Sequence, residues 1–463
     1  MIFLRARKAT SGAWATSGGN GTGRALRGPR QWEKGLDIRP YSNNYSSMTD
    51  NEFRLDYAAC RAHLTRRLAE PAPGRLQLLT GPRQVGKTTL LLELAKLNGP
   101  IAVYASCDGP EAALPGFWER LWTQATEIAQ SQRKAILLLD EVQHVTDWAA
   151  RLKAEWDRLR RHRTPVHAVA TGSSALRVTS GSRESLAGRF ERLTLVHWTA
   201  AALRDIFGIP AAEAPDLFVR FGCYPGAVGL LNDRPRWRAY IRDAIVEPAV
   251  GRDILAIGAI RRPALFRQVF VFSASLPAQI VSLQKLQGQL RDAGALETIA
   301  HYLSILEEAY LVAPVEKFSP RPLRRRAAPP KLVTLNNALL AALDPAGAPD
   351  TSADPEKYGR WVENACLAHA WNAGQRVLYW REEPLEVDGI IEGSWGAWAV
   401  EVKTRPFQMN ALTGLLEFCR RHPRFRPLVL TGTGYHEAAR QAGVTAQPWT
   451  DFLLSGPPQA ARD

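Results

Sequence analysis

Gly81-Pro82-Arg83-Gln84-Val85-Gly86-Lys87-Thr88 fits the spacing GxxxxGK[ST], and the residue types suit one task, the cradling of phosphates. Glycines let backbone N–H groups converge on the anion, and Lys87 reaches the β- and γ-phosphates. The Thr88 hydroxyl, with Thr89 beside it, is placed to ligate Mg²⁺. A strand-like run, RLQLLT, precedes the loop and the helical LLLELAKLNG follows it, which is the context such a loop requires. The alternatives are a chance pattern or an inactive nucleotide fold.

The complementary group is Ile136–Glu141, four apolar residues ending in two carboxylates. Asp140 would hold Mg²⁺ through water, and Glu141 would polarise the attacking water as a general base. Two acids at the start of a helix would read the same way. Thr171-Gly172-Ser173-Ser174 closes another apolar run, where Ser173 could touch the γ-phosphate or cap a helix. Arg189 in ESLAGRFERL is a candidate arginine finger for a neighbouring subunit, or one half of a surface salt bridge.

A second constellation lies near the C-terminus. Leu385-Glu386-Val387-Asp388 and Val400-Glu401-Val402-Lys403 flank a turn at Ser394 and Trp395. Strand alternation puts Glu401 and Lys403 on one face, with Asp388 roughly opposite Glu401. Two carboxylates and a lysine suit metal-assisted phosphodiester hydrolysis: Asp388 and Glu401 would hold Mg²⁺, and Lys403 would orient water. Solvated strands of this composition are the plain alternative.

These groups need elements to position them. Strands at RLQLLT, IAVYASCD, AILLLDE and HAVATGSS alternate with helical stretches, predicting a parallel α/β sheet with its ligand at the strands' carboxyl ends. Residues 50–70 read as a helix ahead of it. From 205 to 343 the pattern turns helical. Three helices are followed by strands around AYLVAPVEKFSP and PPKLVTLN, a winged-helix layout. Its wing carries Arg321, Arg324, Arg325 and Arg326 with Lys331 just after, suited to gripping DNA phosphates. SLQKLQGQLRDAG, with Gln284, Lys285, Gln287 and Gln289, is the candidate recognition helix. The expected divisions are a basic tail or mis-assigned start (1–48), an ATPase domain (49–204), a winged-helix region (205–343), a linker (344–359) and an α/β domain (360–463).

Composition narrows the choice. The 463 residues are 46% hydrophobic and 22% charged, an ordinary globular balance that excludes a fibrous or mainly disordered chain. Net charge is +14, but residues 1–48 hold eight basic and two acidic residues, leaving +8 for the rest. Five scattered cysteines without a CxxC fit a reducing cytoplasm, and no apolar run is long enough to span a bilayer.

GPRQVGKTTL, LLLDEVQHVTDW, ATGSSAL, SLAGRF and FGCYPGAV, in that order between Arg54 and Thr431, resemble a prokaryotic family of AAA-type P-loop ATPases with a C-terminal domain of unknown function. The resemblance implies an ATPase core, a winged-helix middle and a restriction-endonuclease-like end of PD-(D/E)xK type. The C-terminal constellation is similar to the D…ExK signature of such nucleases, and Glu363 on the preceding helix matches their additional acidic residue. The expectation is an ATP- and Mg²⁺-dependent ATPase acting on DNA through the winged helix and C-terminal domain, with no membrane partner and homo-oligomerisation left open. The alternative is a nucleotide-controlled switch that binds a protein partner, its C-terminal domain catalytically silent.

Overall fold

The computed structural model describes residues 54–172, 186–253, 260–291, 294–320, 328–432 and 434–458. The expected tail (1–48), Ser173, Ser174 and the wing residues Arg321, Arg324, Arg325 and Arg326 lie outside them.

Six strands form the first sheet: β1 (Arg54–Leu55), β2 (Leu76–Thr80), β3 (Ala102–Ser106), β4 (Ala135–Asp140), β5 (Val166–Thr171) and β6 (Phe190–Leu195). All pair in parallel, in the order β1-β6-β2-β5-β4-β3. β2, β4 and β5 are buried along their whole length, which is why they read as continuous runs rather than alternations. Successive residues of β4 serve opposite faces. Leu137 and Leu139 pack on Trp118 and Trp122, while Ile136 and Leu138 pack on the side of Leu90 and Leu94. Helices α1 (Tyr57–Ala69), α2 (Lys87–Asn98), α3 (Phe117–Gln132) and α4 (Trp148–His162) cover the sheet.

Two differences from the sequence reading have local causes. The first helix starts at Tyr57, because Asp56 is extended and its carboxylate accepts the Ala59 N–H at 2.7 Å, an N-cap. Arg54 and Leu55 before it are instead a short strand on Thr194 and Leu195. β6, which was read only for the arginine ahead of it, is the neighbour of the phosphate-loop strand.

The middle region runs through helices Pro263–Ala274, Leu283–Gln289 and Leu296–Glu308. Around them lie β7 (Gln279–Ile280), β8 (Val312–Val315) and β9 (Lys331–Thr334), an antiparallel sheet in the order β7-β9-β8. The expected linker is partly helical: helix Pro355–Asn372 starts inside it, with Asp354 capping the Lys357 N–H and proline in the first turn.

A five-stranded sheet follows, ordered β10 (Arg376–Glu382), β11 (Leu385–Gly393), β12 (Gly396–Lys403), β13 (Arg426–Thr431) and β14 (Thr445–Pro448). β11 and β12 are the expected hairpin, turning at Ser394 and Trp395 between the paired Gly393 and Gly396. The middle region and this sheet share one continuous core that includes Phe266, Leu339, Trp361 and Leu428. No helix among the described residues is long and apolar enough to cross a membrane.

Candidate functional site

The phosphate loop spans Gly81–Gly86 between β2 and α2, and its backbone is set for close approach. Gly81 has φ +145°, and a Cβ there would lie 2.0 Å from the Leu195 carbonyl oxygen. Only glycine fits that position. Gly86 caps α2 from the left-handed region, and Gln84 shares that conformation at φ 59°. Lys87 is buried and its ammonium donates to the carbonyls of Pro82 at 2.7 Å and Gly81 at 3.1 Å. The loop therefore already wraps its own cation with oxygen acceptors, the role phosphate oxygens would take. Val85 is buried, whereas Gln84, Thr88 and Thr89 face solvent and Arg83 is half-buried.

Strand order decides what faces this loop. β5 lies between β2 and β4, so Thr171 at the end of β5 stands beside Asp140 at the end of β4. The buried Thr171 hydroxyl donates to Asp140 Oδ1 and accepts the Glu141 N–H at 3.1 Å. Tyr104 on β3 donates to Asp140 Oδ2 at 3.2 Å, and burial together with that carboxylate pushes the phenol up to about 12. Glu141 sits at φ 52°, a strained backbone for a side chain of this kind, and the Gln143 amide donates to its Oε2. Sequence reasoning placed the polar contact at Ser173. Ser173 lies outside the described residues; the polar group seen at this strand end is Thr171, which meets Asp140 and Glu141, and its only sequence signal is its position as the last residue of an apolar strand.

This donor set suits a nucleotide-borne Mg²⁺. Among the described residues no three His, Cys, Asp or Glu side chains cluster to hold a metal, and Mg²⁺ commonly takes one or two protein ligands plus phosphate oxygens. Thr88 and Asp140 would be the two protein ligands of that kind.

Behind the loop, the Trp198 indole donates to the Val85 carbonyl at 2.8 Å and stacks on Tyr57 and Phe207. The adjacent His197 faces the middle region. It is fully buried, donates from Nε2 to the Tyr310 carbonyl at 2.9 Å, and accepts the Asn336 amide on Nδ1 at 3.2 Å. Burial drives its pKa down to about 4, so the ring is neutral. Asn336 also contacts Gly222 of the FGCYPG run, where φ is +59° and a Cβ would lie 1.9 Å from Asn336 Oδ1. Sequence reasoning missed this joint.

Arg189 lies elsewhere. Its carbonyl accepts the Leu76 N–H, at the amino end of β2, a strand length of roughly 16 Å from the phosphate loop. Its guanidinium pairs with Asp157 at 2.9 Å, so it could meet nucleotide only across an interface with a second copy.

A family model described as "AAA domain" matches residues 74–202, the phosphate loop, Asp140, Thr171 and β6 included. The chain carries an AAA domain. Two further models, Domain of unknown function (DUF8612) and Domain of unknown function (DUF4143), match 215–350 and 358–452, giving the AAA-type core with a C-terminal domain of unknown function. Uncharacterized proteins Rv2008c of Mycobacterium tuberculosis and Mb2031c of Mycobacterium bovis are each 29% identical over 401 residues, covering 84% of this chain and 83% of theirs. Among solved structures, a replication initiator DnaA bound to AMPPCP and single-stranded DNA is 14% identical with a TM-score of 0.30, covering 56% of this chain and 90% of that one. AMPPCP-bound DnaA from Aquifex aeolicus is 17% identical with a TM-score of 0.29, covering 54% and 87%.

Downstream of the AAA domain, the C-terminal constellation is assembled differently from expectation. The hairpin register continues from Gly389 opposite Val400 to put Asp388 across from Glu401. Asp388 Oδ2 accepts the Val402 N–H at 2.9 Å, and Lys403 pairs with Glu401 Oε1 at 2.7 Å. Two of the three expected metal ligands, Glu363 and Asp388, are however engaged by Lys331. Its ammonium lies 2.7 Å from Glu363 Oε1, 3.1 Å from the Asp388 carbonyl and 3.7 Å from Asp388 Oδ1. Lys331, expected just after the wing as part of its DNA-gripping basic patch, is 1% exposed and unavailable to a phosphate backbone. Burial disfavours its charge, but Glu363, Asp388 and Glu386 outweigh that and hold its pKa above the ordinary lysine value. Burial and then Asp388 push Glu363 up to about 7 and Glu401 up to about 8. As folded, these residues do not fit a divalent metal.

Proposed function

We propose that the chain hydrolyses ATP at its AAA domain and uses the nucleotide state to control a partner-binding body formed by the middle region and C-terminal sheet. The observation that carries the reading is Thr171, which ties Asp140 and the Glu141 backbone together at the strand ends facing the phosphate loop.

In this account the N–H groups of Gly81–Gly86 hold the phosphates, with Arg83, Gln84 and Val85 shaping the loop. Lys87 would exchange the carbonyls of Gly81 and Pro82 for the β- and γ-phosphates; Thr88 and Asp140 would hold Mg²⁺, with Thr89 beside them in the nucleotide site. Bound Mg²⁺ supplies charge neutralisation between the phosphates. Glu141 positions the attacking water and takes its proton, with Gln143 and the Thr171 bridge fixing its orientation. Ser173, two residues after Thr171 in the sequence, serves as a γ-phosphate contact, and Arg189 is a finger for a neighbouring copy in a homo-oligomer.

The route outward is short. Val85 of the loop is bonded to Trp198, whose neighbour His197 is bonded to Tyr310 and Asn336 of the middle region. A shift of the loop on nucleotide binding is thereby passed across two adjacent residues.

Between the two partner classes, a specific feature favours protein over DNA. The second helix of a helix–turn–helix pair is the one that reads a groove. Here that helix is Leu296–Glu308, not Leu283–Gln289 as the sequence suggested. Its exposed side chains include Glu297, His301, Ser304 and Glu308, with no lysine or arginine anywhere in the helix. The cations that DNA phosphates demand are missing from that face. The test is ATP turnover of the full chain with and without duplex DNA at two salt concentrations. Indifference to DNA supports the protein-partner reading; salt-sensitive stimulation, lost when Arg324, Arg325 and Arg326 become alanine, supports the DNA reading.

A further inference from the structure

Lys331 belongs to β9 of the middle region, yet every acidic group it meets belongs to the C-terminal domain. The chain is pinned to that domain on both sides of the hairpin. On the outgoing arm, Lys317 forms a backbone β-bridge with Tyr379 of β10, and the Tyr379 N–H donates to the Glu316 carbonyl at 3.1 Å. Phe318 then buries its ring against Phe418 at 5.2 Å and Phe425 at 5.5 Å. On the return arm, the Tyr379 hydroxyl donates to the Pro329 carbonyl, two residues before Lys331 enters the cluster.

The cluster gathers four carboxylates, Glu363, Glu386, Asp388 and Glu401, around two ammonium groups, those of Lys331 and Lys403. Its acids therefore outnumber its cations. One oxygen is left over: Glu401 is 7% exposed, and its Oε2 is buried with no hydrogen-bond partner. A buried carboxylate oxygen with no partner is an idle ligand atom, and leaving a buried polar atom unpaired is costly. The ammonium at 2.7 Å from Glu363 and within 4 Å of Asp388 brings positive charge to two of the carboxylates a metal would use.

We propose that Lys331 is a built-in cation that takes the place of a divalent metal in the Glu363–Asp388–Glu401 cluster, so that the β8–β9 hairpin plugs a latent metal site in the C-terminal domain. With the plug seated, the cluster binds no divalent ion. With the ammonium removed, Glu363, Asp388 and Glu401 become a hard-oxygen site for a cation of the Mg²⁺ or Mn²⁺ class. The proposal is independent of ATP hydrolysis and stands or falls separately from it.

The test is Mn²⁺ titration of the nucleotide-free full chain, read by the loss of the free-ion electron paramagnetic resonance signal. Wild type is expected to show no site that depends on Glu363. Lys331→Met should gain one Mn²⁺ per chain, bound at least tenfold more tightly than anything in wild type, and Lys331→Met with Asp388→Asn should lose it. Where Lys331→Met does not fold by circular dichroism, Lys331→Gln replaces it, and the wild-type arm decides alone if neither folds. A stoichiometric Mn²⁺ site in wild type that disappears in Glu363→Gln overturns the proposal. So does a folded Lys331→Met or Lys331→Gln chain that gains no site.

Discussion

Thr171 and Asp140 meet side chain to side chain at the ends of neighbouring strands, and the same hydroxyl accepts the backbone N–H of Glu141. One side chain thus fixes the Asp140 carboxylate and the backbone of Glu141 together. Thr171→Val keeps the shape and removes the donor and acceptor. Its kcat should fall about 10- to 100-fold while the ATP dissociation constant changes less than threefold, as expected when groups that orient the reacting water are lost. Thr171→Ser should recover most of the rate. Comparing kcat with equilibrium binding checks this.

The glycine of FGCYPG is a steric requirement. Gly222→Ala places a methyl 1.9 Å from Asn336 Oδ1 and 2.5 Å from the Ala338 nitrogen at a left-handed backbone. Strain and overpacking together should cost roughly 3 kcal/mol, read as a lowered Tm by calorimetry. A variant with wild-type Tm would contradict the packing of this joint.

His197 supplies a pH signature. Its folded pKa is lowered to about 4, so its stabilisation is fully present above the unfolded value near 6.5 and is lost as pH falls towards 4. Asparagine cannot titrate. The stability gap between wild type and His197→Asn should therefore shrink by roughly 2 kcal/mol from pH 8 to pH 5. Denaturant melts at the two pH values measure it, and a gap that does not change with pH would mean the ring is not held neutral.

Phe318 tests how firmly the hairpin is seated. It is buried among Phe418, His422 and Phe425. Phe318→Ala should cost about 3 kcal/mol, the loss expected for emptying a packed aromatic site, and should speed proteolysis of the chain between Phe318 and Lys331. Unchanged protease resistance would argue that the hairpin is held by other contacts.

What could be read in the sequence follows a physical line. The phosphate loop and the Asp140–Glu141 strand are local, so spacing alone revealed them, and the turn at Ser394–Trp395 carried the Asp388–Glu401 pairing with it. Lys331 could not be read that way. It follows an arginine run, where a lysine ordinarily solvates a loop, and its partners lie 32 residues away at Glu363 and 57 away at Asp388. His197 and Asn336 are separated by 139 residues, and nothing in either neighbourhood marks them as partners. Arg54 is similar: its guanidinium lies 3.4 Å from the Trp371 ring, a contact only the finished fold creates. β1 and β6 were overlooked because a two-residue strand has no periodicity and FERLTL is only half buried.

The most direct test of the central claim is phosphate release from ATP by the full chain, alongside Lys87→Ala and Glu141→Gln, with nucleotide binding measured on each. The account predicts steady turnover by wild type, loss of binding and turnover in Lys87→Ala, and retained binding with at least a 100-fold loss of turnover in Glu141→Gln, a fall of about 2.7 kcal/mol in transition-state stabilisation. Wild-type binding without hydrolysis, or equal rates in wild type and Glu141→Gln, would contradict it.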